Sequence, residues 1–475
     1  MRRTPDRISR TLAVAAAAVT LLVACTSDPA EPRQGERDGL RPGSVDLADP
    51  YVPGAGNGGY DVSHYRLAVR YDPATDRLTG RAKVMATATH GLSRFTLDLA
   101  GLDVTAVTMG GSRAEHRRDG DELVVTPRHG LPQGRRFAVE VDYSGVPAAK
   151  ADGQLGSGGF LHTADGAVAL GQPWSAATWF PVNDHPSDKA TYDIEVTVPD
   201  GLAALSNGVP GEKTSAAGWT TWRWAEGTPM ASYLTTLVIG DYRVETGTHA
   251  GRPMVTAVPA SLPATGPEAA SLARTGEIAD FLASRFGPYP FDSYGGVVVT
   301  DARVGYALET QSRPVYGPGF FRSGRPNPGV VAHELAHQWF GNSVTLSRWS
   351  DIWLNEGFAS YAEWLWEEHD GGRTAQRNFE LEYAGTDWSR PSVDPGRSQL
   401  FGAAVYKRGA LAVHALRRTV GDDTFFRILH TWTAERRGGN ATTADLVVLA
   451  ERVAGKPLRP LFDAWLVGAR APALP

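Results

Sequence analysis

The sequence predicts two folds in series: an all-β domain, a sandwich of two sheets or a saddle, over about 56–248, then a mixed, helix-rich domain over about 249–475. Three observations carry this. Up to about Ile239, apolar residues alternate with polar ones in short runs separated by turn residues, the period of half-buried strands. After about Ala250 that period gives way to helical spacing among good helix formers. A chain of 475 residues also exceeds one ordinary domain, so two cores are expected.

The chain opens with Arg2, Arg3, Arg7 and Arg10 ahead of an apolar run from Thr11 to Ala24. That run is short for a membrane span and arranged as a secretory signal. It ends Leu22-Val23-Ala24-Cys25, which resembles the bacterial lipoprotein box. The resemblance implies that 1–25 is a lipoprotein signal peptide and that Cys25 is acylated. The protein is then expected to be exported and lipid-anchored to the outer face of the cell membrane, each buried CH₂ contributing about 0.8 kcal/mol. Cys25 is the sole cysteine, which excludes an intramolecular disulfide and a cysteine metal site. Thr26 to about Gly58 is rich in Pro, Gly and charge and reads as a flexible linker, with 26–55 lying ahead of the first domain.

Ordered structure is expected from about Tyr60, with Tyr65, Leu67, Val69 and Tyr71 on one face of a strand. Val84 to Ala88, Phe95 to Leu99, Leu123 to Val125, Phe137 to Tyr143 and Tyr192 to Val198 repeat the pattern; Trp219 to Trp224 and Leu234 to Ile239 read as the last strands. Pro267 to Phe286 opens with Pro-Glu, carries Leu272, Ile278, Leu282 and Phe286, and stops at Gly287-Pro288, as a helix does. Gly295 to Thr300 is a buried strand and Tyr306 to Gln311 an edge strand. Asn327 as N-cap, Pro328 at the first helical position and Gly341 as a stop predict a helix over about 328–340. A second helix starts near Leu354, with Glu363, Glu367 and Glu368 on a solvated face. Further helices are expected over about 403–420, 422–436, 443–454 and 458–466.

His333-Glu334-Leu335-Ala336-His337 places two imidazoles four residues apart, on one face of a helix. With 12 His and 52 Asp+Glu in the chain, such a pattern arises by chance with a probability of roughly 0.03. Glu356 follows His337 after 18 intervening residues, which lets a second helix return a carboxylate to the same ion. His333, His337 and Glu356 are expected to hold one zinc ion per chain and to leave a fourth position for water. Glu334 is then the general base that accepts the water's proton. The competing reading is a structural helix with satisfied histidines.

The pattern, with its third ligand inside WLNEGFASY, resembles the gluzincins, and its neighbours resemble the aminopeptidase N family of zinc aminopeptidases. This implies a thermolysin-like fold for 249–475 and removal of N-terminal residues from peptides with a free N-terminus. Tyr306-Ala307-Leu308-Glu309-Thr310 stands where that family has G-A-M-E-N, and by resemblance Glu309 takes the substrate's α-amino group. Gln172, ahead of Phe180-Pro181-Val182-Asn183-Asp184-His185-Pro186, resembles the family's Q-x(4)-R-x-x-F-P-C-x-D-E-P segment and is implied to help hold the amine. His185, in place of the glutamate, is expected to be structural or exposed. Tyr406-Lys407-Arg408-Gly409 resembles Y-x-K-G, which makes Tyr406 the donor to the developing oxyanion. Asp351 is expected to orient a ligand histidine or to cap a helix. Members of this family often carry further C-terminal domains over the site, so a more open cleft is expected here.

The net charge of -5 argues against a nucleic-acid partner. Peptides and, through Cys25, a membrane are the expected partners, and a monomer the expected state. Three alternatives remain open: a thermolysin-like zinc endopeptidase, which needs no Glu309, a zinc epoxide hydrolase, and a non-catalytic surface binding lipoprotein.

Overall fold

The computed structural model describes residues 39–152 and 156–475; the signal peptide, Cys25 and the first part of the expected linker lie outside the described residues. Among the described residues no helix is long and apolar enough to cross a membrane.

The first domain follows from the alternation. Strand Tyr60–Asp72 buries Tyr65, Leu67, Val69 and Tyr71. It pairs antiparallel with Arg77–Ala88 and parallel with Lys189–Pro199. The sheet continues to Trp219–Ala231 on one side and to Arg136–Gly145 and Asp103–Met109 on the other. Because side chains point to alternate faces, this register brings Val84, Val139, Val141, Ile194 and Val196 into the core. A second sheet runs Ala149–Asp152, Gly156–His162, Ala167–Leu170, Thr236–Gly240, Ala203–Leu205 in spatial order. Trp224 of the first sheet ties the two by donating its indole N–H to Ala204 O at 3.0 Å.

The strands do not end near Ile239. Tyr242–His249 and Arg252–Pro259 form a hairpin whose second strand pairs in parallel with Tyr294–Val298, so the chain enters the second domain as sheet. Tyr242–His249 is half-exposed and lacks apolar alternation, which hides it from a periodicity reading. The expected edge strand shrinks to Ala307–Leu308, at the rim of that five-stranded sheet.

The described part of the expected linker is not loose. Asp49 accepts from Trp349 N at 2.9 Å. The Tyr51 hydroxyl donates to Asp394 Oδ1 at 2.6 Å and accepts from Gly396 N at 2.9 Å. Asn57 N donates to Asn183 Oδ1 at 2.6 Å. Polar partners from both domains hold this stretch, and composition carries no trace of them.

In the second domain the helix expected over 267–286 breaks into α1 (Pro267–Leu272) and α2 (Thr275–Phe286), where Arg274 pairs with Glu277 and Asp370. α3 (Pro328–Ala336) starts as expected, Asn327 Oδ1 accepting from Val330 N. α4 (Trp353–His369) follows, then α5 (Ala375–Gly385), a helix the apolar spacing does not announce but which Thr374 caps. The helix expected from about 403 is a π-helical turn over Ala404–Arg408 that leads into α6 (Gly409–Val420). α7 (Asp422–Glu435) and α8 (Thr443–Ala454) follow, α8 opening on a capping box between Thr442 and Asp445. The helix expected over 458–466 is a short one, Arg459–Phe462, that passes into a π-helical turn over Asp463–Val467.

Two glycines set the crossing of α4 and α6. A Cβ on Gly409 would stand 2.8 Å from Gly357 Cα, and one on Gly357 would stand 2.9 Å from Gly409 Cα. Only glycine admits this approach, which draws the turn carrying Tyr406 onto the helix carrying Glu356.

Candidate active site

α3 and α4 bring the expected metal ligands together. His333 lies in the last turn of α3 and His337 closes it, while Glu356 lies in the first turn of α4, where the helix dipole favours an anion. Glu356 Oε2 is 3.3 Å from His333 Nε2 and 3.4 Å from His337 Nε2. The outer ring nitrogens are engaged elsewhere: His333 Nδ1 lies 2.5 Å from Glu363 Oε1, and His337 Nδ1 3.1 Å from Phe340 O. These partners turn both Nε2 atoms toward the shared point. Glu363 is two turns past Glu356 on the same face of α4, so it orients a ligand histidine and is not part of a merely solvated face.

Two buried imidazole nitrogens and a buried carboxylate oxygen within 4.8 Å of one another fit zinc, with a fourth position open. Glu309, Glu334 and His337 also converge within 4.8 Å. Geometry distinguishes the first set, in which both imidazole Nε2 atoms face one carboxylate oxygen at 3.3 and 3.4 Å. Burial works against ionising Glu356, yet the facing His337 and His333 hold its pKa down at about 2. Burial pushes Glu334 up to about 8 and raises Glu309 as well. Glu334, whose pKa lies at about 8, is poised to exchange a proton. A divalent cation at the shared point would draw Glu334 back toward the ordinary carboxylate range.

Glu309 reaches the same point from the sheet edge. Its Oε1 accepts from Gln172 Nε2 at 3.1 Å, so the first domain contributes directly to the site. Its backbone oxygen accepts from Asn342 Nδ2 at 2.7 Å and Gln338 Nε2 at 3.3 Å. The buried Tyr233 hydroxyl also faces the Glu309 carboxylate, and burial, then the charge of Glu309, raise its pKa well above the usual value. Sequence reasoning misses these three supports; Gln338 and Asn342 sit just after His337, a signal of sorts, whereas nothing local marks Tyr233.

Tyr406 projects from the π-helical turn, its ring stacked on His333 with centroids 6.1 Å apart and planes at 24°. Burial, then the carboxylates of Glu356, Glu309 and Glu334, raise its pKa well above the usual value, so the hydroxyl keeps its proton. Arg408 points away and is buried, donating to the carbonyls of Trp465 at 2.6 Å, Trp388 at 3.0 Å and Gly468 at 2.6 Å. His185 is structural, buried between Asp49 at 3.4 Å and Ser187 at 2.7 Å. Asp351 caps: its Oδ1 accepts from Thr443 Oγ1 at 2.6 Å and Thr443 N at 3.2 Å, at the start of α8.

Gln172, Glu309, Glu334, the three ligands and Tyr406 line one pocket of about 290 Å³, closed on another side by Phe320, Asn327 and Val330. All the sequence-predicted site residues therefore meet in one place.

Residues 62–234 match the Peptidase M1 N-terminal domain and residues 287–465 the Peptidase family M1 domain. Glutamyl aminopeptidase of Sus scrofa is 28% identical over 320 residues, covering 62% of this chain and 34% of the relative. Aminopeptidase M1 of Arabidopsis thaliana is 30% identical over 326 residues, covering 63% of this chain and 36% of the relative. The chain thus spans about a third of the length of these relatives. The crystal structure of an M1 zinc metallopeptidase from Deinococcus radiodurans superposes with a TM-score of 0.82 at 33% identity, over 90% of this chain and 98% of that one. A mutant of that protein bound to a Tyr-Ser-Ala substrate superposes with a TM-score of 0.82 at 32% identity, over 90% of this chain and 99% of that one.

Proposed function

The chain belongs to peptidase family M1, and on that footing we propose that it is an aminopeptidase, exported and lipid-anchored through Cys25, that releases N-terminal residues from peptides as a monomer. The observation that carries the activity is the buried carboxylate of Glu309, held by Gln172 and facing Glu334 and His337.

A substrate α-ammonium placed there offsets the burial of Glu309 and restores its ionised form. An N-acetylated chain brings no such charge. Ala307 lines the pocket from a strand that pairs on one side only, which leaves an edge for an extended peptide. His333, His337 and Glu356 would hold a zinc ion, which would supply Lewis acidity at the scissile carbonyl and acidify water. Glu334 takes the proton of the attacking water and returns it to the leaving amine as the C–N bond breaks. Tyr406 donates its O–H to the carbonyl oxygen as that atom gains charge.

The test compares aminoacyl-arylamides and free peptides with their N-acetylated counterparts. Free amines should be cleaved from the first residue and acetylated peptides left intact. Glu309→Ala should lower kcat/KM for free amines by about 10–150-fold, the worth of a hydrogen bond to a charged group. Internal cleavage of acetylated peptides at comparable kcat/KM would favour the endopeptidase reading instead. The Leu22-Val23-Ala24-Cys25 sequence supports the anchor. Partition into a detergent phase, lost in Cys25→Ser, checks it.

A further inference from the structure

The amine end of the pocket lies at Glu309, whose carboxylate clusters with Glu334 and His337. His333 is one turn toward the start of α3, and Val330 and Asn327 lie one and two turns further. A peptide anchored at Glu309 and crossing the metal ligands therefore leaves over the first turn of α3. A groove of about 420 Å³ begins there: Pro328 and Gly329 line it, next in sequence to the pocket residues Asn327 and Val330, and Glu363 lines both spaces. Its walls include Trp364 of α4 and Leu381 of α5. Leu381 is 43% exposed, one of the few large apolar side chains among the described residues that face solvent.

The acids of the groove are already matched. Glu363 is engaged by His333 at 2.5 Å, Glu367 pairs with Arg373 at 3.0 Å, Asp370 with Arg274 at 2.9 Å and Glu382 with Lys407 at 3.0 Å. The groove therefore does not call for a basic ligand. What remains unmatched is the apolar surface of Leu381, in a groove that Trp364 also lines.

We propose that this groove binds the second and third substrate residues on the leaving side of the scissile bond and favours a large apolar side chain there, so that turnover depends on peptide length. The proposal rests on the placement of the substrate amine at Glu309.

The test measures kcat/KM of the full zinc-loaded chain on an aminoacyl-arylamide and on peptides of two to five residues that share the same first two. From the dipeptide to a tetrapeptide with Leu in its last two positions, kcat/KM should rise by about tenfold, the burial of one apolar side chain. Ser in those positions should remove the rise. Leu381→Asp, at an exposed site that leaves the core untouched, should also flatten the series while arylamide turnover stays unchanged; Trp364→Ala should do the same if it folds. A flat series in the unaltered protein, or a rise that survives Leu381→Asp, overturns the groove assignment while arylamide cleavage leaves the aminopeptidase reading standing. Failure to cleave the arylamide overturns that reading itself.

Discussion

Gly409→Ala tests how Tyr406 is positioned. Gly409 has φ -57° and ψ -50°, so alanine fits the backbone and only the contact is perturbed. The new Cβ would stand 2.8 Å from Gly357 Cα, a backbone atom that no rotamer change can move aside. Carbon atoms pack best at about 3.5–4.0 Å, so α6 and α4 must separate by about 0.7–1.2 Å. Overpacking of this kind costs about 1–3 kcal/mol, and alanine's better helix propensity returns up to about 1 kcal/mol. The net loss of stability is therefore about 0–3 kcal/mol. The effect on rate should be larger, because Gly409 lies three residues after Tyr406 and touches the neighbour of Glu356. A misplacement of about 1 Å at a reacting centre costs on the order of 10²-fold. We expect kcat on an aminoacyl-arylamide to fall about 10²-fold well below the melting temperature, with zinc content unchanged. Full kcat in Gly409→Ala would show that the glycine contact does not set the position of Tyr406.

Glu334→Gln should keep its zinc while kcat falls about 10²–10⁴-fold, read by metal analysis beside steady-state kinetics. In Tyr406→Phe, the loss of one oxyanion donor should raise the barrier by about 2.7–4 kcal/mol, appearing in kcat rather than KM. Glu363→Gln should weaken zinc affinity about 10–100-fold, measured by competition with a chelator, because His333 loses the carboxylate that orients it. Stability should also carry a pH signature from Asp188, whose pKa burial and then Asp61 push up to about 8. Between the unfolded carboxylate range and that value the native state holds the extra proton, so this contribution is present at low pH and is lost as pH rises toward 8. Urea midpoints measured from pH 5 to pH 9 should fall less in Asp188→Asn than in the unaltered protein.

The ligand pair, its base and the cap that starts their helix are legible because each depends on neighbours one turn away. His333, Glu334 and His337 are fixed relative to one another by helical repeat alone, and Asn327 with Pro328 fixes where that repeat begins. The strands around Tyr65, Val139 and Ile194 are legible for the same reason, with a period of two. Glu356 is reached through its spacing from His337, whereas Glu309, Gln172 and Tyr406 could be added only by resemblance, since nothing local says that these distant segments meet.

Other features depend on how the elements pack. Glu363 lies on the ligand face of α4, yet it becomes a partner of His333 only because α3 crosses there. Tyr233 and Gln172 serve Glu309 only because the β domain docks on the catalytic one, and Asp49 and Tyr51 become a strap only because both domains present partners to them. The exit over α3 toward Leu381 likewise exists only between helices. Local periodicity is a property of the backbone and survives in the string of residues. A contact between segments more than a hundred residues apart, such as Gln172 with Glu309, is decided by domain docking, which no local repeat encodes.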